Sequence, residues 1–174
     1  MELLHSETVS EGHTVDVAIK RYRRADGTEV ERQVVEHPGS VAILAHDDEV
    51  AFLVRQPREA VEKDGLLEIP AGTLDVEGES ELECARRELS EEVGLGAERW
   101  QVLKTIYPSP GFLNERTTIF EATGLSPQAG SGDDSDEIEV VRLPLAEIDS
   151  ALPEILDAKT VVALLLLSSR RPPG

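Results

Sequence analysis

Read for its alternation of apolar and polar positions, the chain opens as strands. Residues 13–22, His-Thr-Val-Asp-Val-Ala-Ile-Lys-Arg-Tyr, alternate as a strand does. Asp26-Gly27 is a hairpin signal, and residues 30–36 read as the return strand, broken by His37-Pro38-Gly39. Residues 41–45 and 50–55 are two apolar strands around an Asp47-Asp48 turn. Residues 56–65 read as polar loop, and 66–69 as a short strand ending at Pro70-Ala71-Gly72. The period then changes to that of a helix over residues 80–93. Strands return at 100–107, at 116–123 beyond the rigid turn Pro108-Ser109-Pro110-Gly111, and at 138–144. A helical turn or two follows at 145–152. The chain closes with a nearly all-apolar helix over 157–169, hence a buried or docked one. Strands and helices mix without strict alternation. This predicts an α+β fold, a mixed sheet sandwiched between helices, rather than a doubly wound parallel sheet.

Composition narrows the function. The 174 residues carry 17 Lys+Arg against 35 Asp+Glu, a net charge of −18. A binder of DNA or RNA backbones needs a positive face, and so does a protein attracted to anionic membrane surfaces. Neither nucleic acid nor membrane is therefore an expected partner. A polyanion met through a bridging metal ion remains open. One cysteine, Cys84, excludes a disulfide within the chain and argues against a Cys-based zinc site; it reads as a small packed residue. Residues 1–11 lack the apolar core of a signal peptide. The strongest apolar run, 161–167, is far short of the roughly 20 residues of a membrane helix. A cytoplasmic protein is expected. The Gly/Ser/Pro/Asp stretch at 126–136 reads either as a surface connection or as a mobile lid over a site.

The acids are not evenly spread. Residues 72–95 hold eight of them. Ser80 and Glu83 form a capping box that starts a helix, and Gly94 is a natural stop. Leu82, Ala85, Leu89 and Val93 make one apolar stripe. Glu88 and Glu92 are four apart and share a face, with Glu91 beside both. Such crowding costs roughly a few tenths of a kcal/mol per like pair. Arg87 relieves part of it by bridging to Glu91. A hard divalent cation relieves it better, because Mg²⁺ and Mn²⁺ take carboxylate oxygens and keep positions for phosphate. The plainer alternative is an exposed acidic helix face.

Residue order adds a resemblance. Arg87-Glu88-Leu89-Ser90-Glu91-Glu92-Val93-Gly94-Leu95 fits R-E-U-x-E-E-x-G-U, with U aliphatic, and seven residues separate Glu79 from Arg87. This resembles the Nudix box, the signature of hydrolases that cleave a nucleoside diphosphate linked to another group. One spacing departs. Six residues separate Gly72 from Glu79 where the usual pattern has five, so the loop ahead of the helix is one residue longer. Leu67-Glu68-Ile69-Pro70-Ala71-Gly72, Pro110-Gly111 and Val54-Arg55-Gln56-Pro57-Arg58 are similar to the ADP-ribose pyrophosphatase subgroup, with Pro57 where an aromatic is more usual.

The resemblance implies a Nudix fold over residues 39–174. It also implies an N-terminal antiparallel β extension over 1–38 that serves dimerisation and the base end of the substrate. It implies Glu88, Glu92 and the Ala71 carbonyl as ligands of Mg²⁺ or Mn²⁺, Glu91 as a further ligand or as a carboxylate that supports them, with Arg87 aiming the carboxylates and Glu79 supporting it. Arg58 matches an arginine that reaches the substrate phosphates, and Glu68 helps orient it. The general base, beside Glu91, would come from Asp134, Asp136 or Glu137 in the acidic loop. A carboxylate in that role is typically worth about 10²–10⁴-fold. Adenine is expected on an aromatic ring, for which Tyr22 and Phe112 are the candidates among six aromatics. His5, His13, His37 and His46 do not pair at metal-ligand spacing. The implied activity is divalent-metal-dependent hydrolysis of ADP-ribose to AMP and ribose 5-phosphate by a homodimer. Another nucleoside diphosphate sugar, a dinucleotide, or a module that binds a nucleotide without cleaving it are the alternatives.

Overall fold

A computed structural model of the chain describes residues 1–128 and 138–170. It divides into two compact units. The smaller comprises Met1–Gly39 and Tyr107–Arg116, the larger Ser40–Ile106 with the chain from Thr117 onward. The smaller unit thus takes in the Tyr107–Arg116 segment as well as the N-terminal extension.

The smaller unit is an antiparallel sheet of β1 (Glu2–Ser10), β2 (Asp16–Arg23) and β3 (Glu29–Glu36), in that order. The Asp26-Gly27 turn joins β2 to β3 as the sequence predicts. Gly27 sits at φ 84°, in the left-handed region that favours glycine, and Asp26 accepts the Thr28 N–H at 3.0 Å. β1 escapes the hydrophobic pattern because nearly every one of its side chains is exposed. Backbone pairing to β2 alone makes it a strand. The Tyr107–Arg116 segment joins this sheet along β3. The Val35 N–H donates to the Phe112 carbonyl at 2.7 Å, and the Asn114 N–H donates to the Val35 carbonyl at 3.1 Å.

The larger unit is built on a mixed sheet of seven described strands. These are β4 (Ser40–His46), β5 (Val50–Arg58), β6 (Lys63–Glu68), β7 (Ala71–Thr73), β8 (Leu95–Ile106), β9 (Thr117–Pro127) and β10 (Glu139–Pro144). The main path runs β10-β5-β4-β9-β8, with β6 beside β5 and β7 beside β4. Strand β4 runs parallel to β9, and the other pairings are antiparallel. The period-2 rule sorts β4 to both faces. Val41, Ile43 and Ala45 join one apolar cluster with α1 (Glu81–Val93), while Ala42 and Leu44 join another with α3 (Ala158–Ser168). The predicted mixed sheet between helices is therefore what forms. Between β10 and α3, two 3-10 turns flank the short helix α2 (Ile148–Ala151). Among the described residues no helix is long and apolar enough to cross a membrane.

Helix α1 begins where the sequence says. Ser80 accepts the Glu83 N–H while Glu83 accepts the Ser80 N–H, and Gly94 ends the helix at φ 73°. Its stripe is shifted slightly. Cys84, Ala85, Leu89 and Ser90 are buried, whereas Leu82 and Val93 pack only partly. The polar stretch 56–65 is not a loop. β5 continues to Arg58 and pairs with β6 as far as Lys63, the turn closing on Glu62 at φ 54°. Its polar side chains hide this pairing from any hydrophobic pattern. Residues Leu95–Arg99 and Ser126–Pro127 likewise extend β8 and β9.

Glu121 on β9 is buried, yet it accepts from His46 Nε2 at 3.0 Å, from Arg170 Nη1 at 2.9 Å and from Gln101. Burial pushes its carboxyl upward, and these partners outweigh it and hold it below the ordinary value. A depressed folded-state pKa gives stability that is present above the unfolded value and is lost as pH falls through the folded one. The urea midpoint is therefore expected to drop between pH 5 and 3. Glu121→Gln should flatten part of that drop at a cost of about 2 kcal/mol near pH 7.

Candidate active site

The site of the larger unit begins with Arg87. Its Nε and Nη2 donate to the two Glu79 oxygens at 2.9 and 3.1 Å, and its Nη1 donates to Glu88 Oε1 at 2.7 Å and Glu91 Oε2 at 3.0 Å. One guanidinium thus ties three carboxylates, and its own pKa is raised, first by the Glu79 bond. Ahead of the helix the chain makes a turn in which the Glu79 N–H reaches the Val76 carbonyl and Gly78 takes φ 83°. Glu79 still arrives at Arg87.

Across from this face lies β7. The Ala71 N–H donates to Glu92 Oε2 at 3.1 Å. Gly72 lies so close to Glu88 that a Cβ there would stand 2.0 Å from Oε1. The backbone of Ala71-Gly72 and the carboxylates of Glu88 and Glu92 therefore share one small space. Burial raises both acids, Glu92 to about 7, with the Glu88 charge also raising Glu92. These two half-buried carboxyls repel each other, and Arg87 reaches only Glu88 of the pair. An all-oxygen set of this kind suits a hard divalent ion. Among the described residues no three acidic, imidazole or thiol groups form a finished cation cage, since Arg87 holds Glu88 and Glu91.

A second network approaches from the β5–β6 pair. Glu68, 1% exposed, accepts Arg58 Nε on Oε1 at 2.6 Å and Arg58 Nη2 on Oε2 at 2.9 Å. Oε2 also accepts Lys159 Nζ at 2.6 Å, and Lys159 donates to Asp157 Oδ1 at 2.8 Å. The other Asp157 oxygen caps α3 by accepting the Thr160 N–H at 2.9 Å and its hydroxyl at 2.6 Å. Thr160 Oγ1 in turn accepts the Ile69 N–H at 2.7 Å. Arg58 lies near enough to Glu92 for their charges to interact. Sequence reading missed Asp157, Lys159 and Thr160. The available signal was three polar residues opening an otherwise apolar helix.

The larger unit therefore brings together Ala71, Glu88, Glu91 and Glu92 with Glu79 and Arg87, and pairs Arg58 with Glu68. Tyr22 and Phe112 meet in the smaller unit. They line one cleft of about 580 Å³ with Tyr107, Arg24, Arg32 and Asn114. Asp134, Asp136 and Glu137 lie outside the described residues.

Known proteins share this arrangement of strands and helix. A family model described as the NUDIX domain matches residues 36–165. An ADP-ribose pyrophosphatase of Mycobacterium tuberculosis is 44% identical over 125 residues. That match covers 71% of this chain and 60% of the relative, so the chain spans less than two thirds of that protein's length. The methanol dehydrogenase activator of Bacillus methanolicus is 35% identical over 94% of this chain and 90% of its own. A crystal structure of an ADP compounds hydrolase superposes with a TM-score of 0.82 at 29% identity, covering 97% of this chain and 92% of that one. Nudix hydrolases generally need divalent metal ions. With the family model spanning most of its length and the helix α1 carrying the family's box, this chain belongs to the Nudix family of hydrolases.

Proposed function

We propose that the chain hydrolyses the pyrophosphate of ADP-ribose, giving AMP and ribose 5-phosphate, and that it uses Mg²⁺ or Mn²⁺ to do so. The observation that carries this reading is the apposition of the Ala71-Gly72 backbone with half-buried Glu88 and Glu92, beside an Arg58 held by Glu68. Relatives named for ADP-ribose and ADP compounds support the substrate.

In this proposal Glu88, Glu91, Glu92 and the Ala71 carbonyl hold the cation, which supplies charge neutralisation on the diphosphate and acidifies the attacking water. Arg87 keeps Glu88 and Glu91 in their rotamers while Glu79 keeps Arg87 in its own. Arg58 presents its guanidinium to the phosphates, and the fork geometry suits their oxygens. Asp134, Asp136 or Glu137 takes the proton from water. The aromatic cleft with Tyr22 and Phe112 is the proposed seat of the nucleobase. The protein is proposed to work in the cytoplasm as a homodimer through its N-terminal sheet, and sedimentation velocity reads the oligomeric state.

The test is a panel of ADP-ribose, other nucleoside diphosphate sugars and dinucleotides with Mg²⁺ and with Mn²⁺. ADP-ribose is expected to give the highest kcat/KM, with AMP as product, and chelation of the metal should abolish turnover. Faster turnover of another member would reassign the substrate. A second reading, a nucleotide-binding module acting on a partner protein, draws on the relative named as an activator. Tight ADP-ribose binding in Mg²⁺ without AMP release would decide for it.

A further inference from the structure

We infer that Lys159 is a positioning residue for the phosphate-binding arginine. It shares the buried Glu68 carboxylate with Arg58 and so sets the placement of the guanidinium. This rests on the reading of Arg58 as a phosphate ligand.

A buried acid needs one cation to be neutralised, and Arg58 alone already meets Glu68 through two hydrogen bonds. Such a closed pair leaves little charge on the guanidinium for a diphosphate. Lys159 supplies a second cation on Glu68 Oε2, so the three groups together carry a net positive charge. Asp157 offsets Lys159, and its other oxygen is committed to the cap of α3, where the helix N-terminus already favours a negative group. With Asp157 counted the four side chains are formally neutral, and Arg58 is the partly exposed member, its side chain 42% accessible.

The arrangement also fixes position. Lys159 and Thr160 open α3, whose Ala163, Leu164 and Leu167 are locked in the core. Thr160 holds the Ile69 N–H while Lys159 holds Glu68, so two consecutive residues at the end of β6 are indexed to that helix. Downstream, the Pro70 carbonyl accepts from Ile43 and the Ala71 N–H reaches Glu92. The grip on Glu68-Ile69 therefore serves the arginine on one side and the Ala71 backbone on the other.

The experiment compares wild type, Lys159→Met, Lys159→Arg, Arg58→Met and the Arg58/Lys159 double variant. Three readouts are taken: KM and kcat for ADP-ribose in Mg²⁺, the melting midpoint, and the Arg58 ¹⁵Nε–¹Hε resonance without ligand. Lys159→Met is expected to raise KM roughly tenfold with kcat within about threefold, the mark of lost binding common to ground and transition states. Its Arg58 Nε resonance should broaden, and in the Arg58→Met background the substitution should add no further loss. Lys159→Arg keeps a cation on the same carboxylates and should hold KM within about threefold. Should Lys159→Met not fold, Lys159→Gln, which retains an N–H donor, takes its place. An unchanged KM and an unchanged Nε resonance would overturn the inference, as would additive losses in the double variant. Wild-type protein that neither binds nor cleaves ADP-ribose would instead overturn the proposed function. The Nε resonance, which needs no substrate, would still decide the role of Lys159.

Discussion

Glu92→Gln is expected to lower ADP-ribose turnover about 10³-fold, equivalent to about 4 kcal/mol of barrier, while the protein stays folded. The amide keeps an oxygen to accept the Ala71 N–H, which now meets Glu92 Oε2 at 3.1 Å, so the seam between β7 and α1 persists. What disappears is the charge. Burial and the Glu88 charge hold Glu92 near 7 in the metal-free protein, against an ordinary value of 4.5. The folded state therefore retains a proton that the unfolded chain has already released. Stability is greatest below the unfolded value and declines as pH rises through about 7, by roughly 3 kcal/mol in all. The glutamine variant lacks that decline. Two measurements check this: turnover in Mg²⁺, and metal-free urea midpoints at pH 5 and pH 8. Turnover at the wild-type level would remove Glu92 from the ligand set. A wild-type pH slope in the variant would show that another group carries it.

Gly72→Ala should cost activity about 10²-fold with a modest loss of stability, about 1–3 kcal/mol. The new Cβ would fall 2.0 Å from Glu88 Oε1 and 2.4 Å from its Cγ, distances no real contact tolerates. One side must yield. The backbone of β7 is held by its pairing to β4, where Gly72 lies opposite Val41. Glu88 is held less firmly, by the Arg87 bond at 2.7 Å, so its carboxylate is the part that swings away. Gly72 has no positive φ, so backbone strain contributes nothing and displacement of Glu88 is the whole effect. Steady-state kinetics with a Mg²⁺ titration reads it as a weakened metal requirement curve as well as lower kcat. Wild-type kinetics would mean that Glu88 is not used where it now stands.

Much of this was legible in the chain because each signal was local. A capping box, a stop glycine and a 3.6-residue period define α1 within the fifteen residues from Ser80 to Gly94, and Arg87 with Glu91 is an i, i+4 pair on its surface. Strands with an apolar face were found, since period 2 separates the β4 side chains between two clusters. Strand β1 and the β5–β6 extension were not found, because neither carries an alternating apolar face and their order comes from backbone pairing with a neighbouring strand.

The site divides the same way. By itself the sequence determined which carboxylates share the α1 face, which arginine lies among them and where the helix starts and stops, because a helix converts spacing into proximity without help. Only the tertiary structure decided that Gly72 abuts Glu88. It alone showed that partial burial beside Glu88 raises the Glu92 carboxyl to about 7, and that Lys159, 91 residues beyond Glu68, shares its carboxylate. Burial and long-range apposition depend on how strands register against a helix formed elsewhere in the chain, and no local pattern encodes that register.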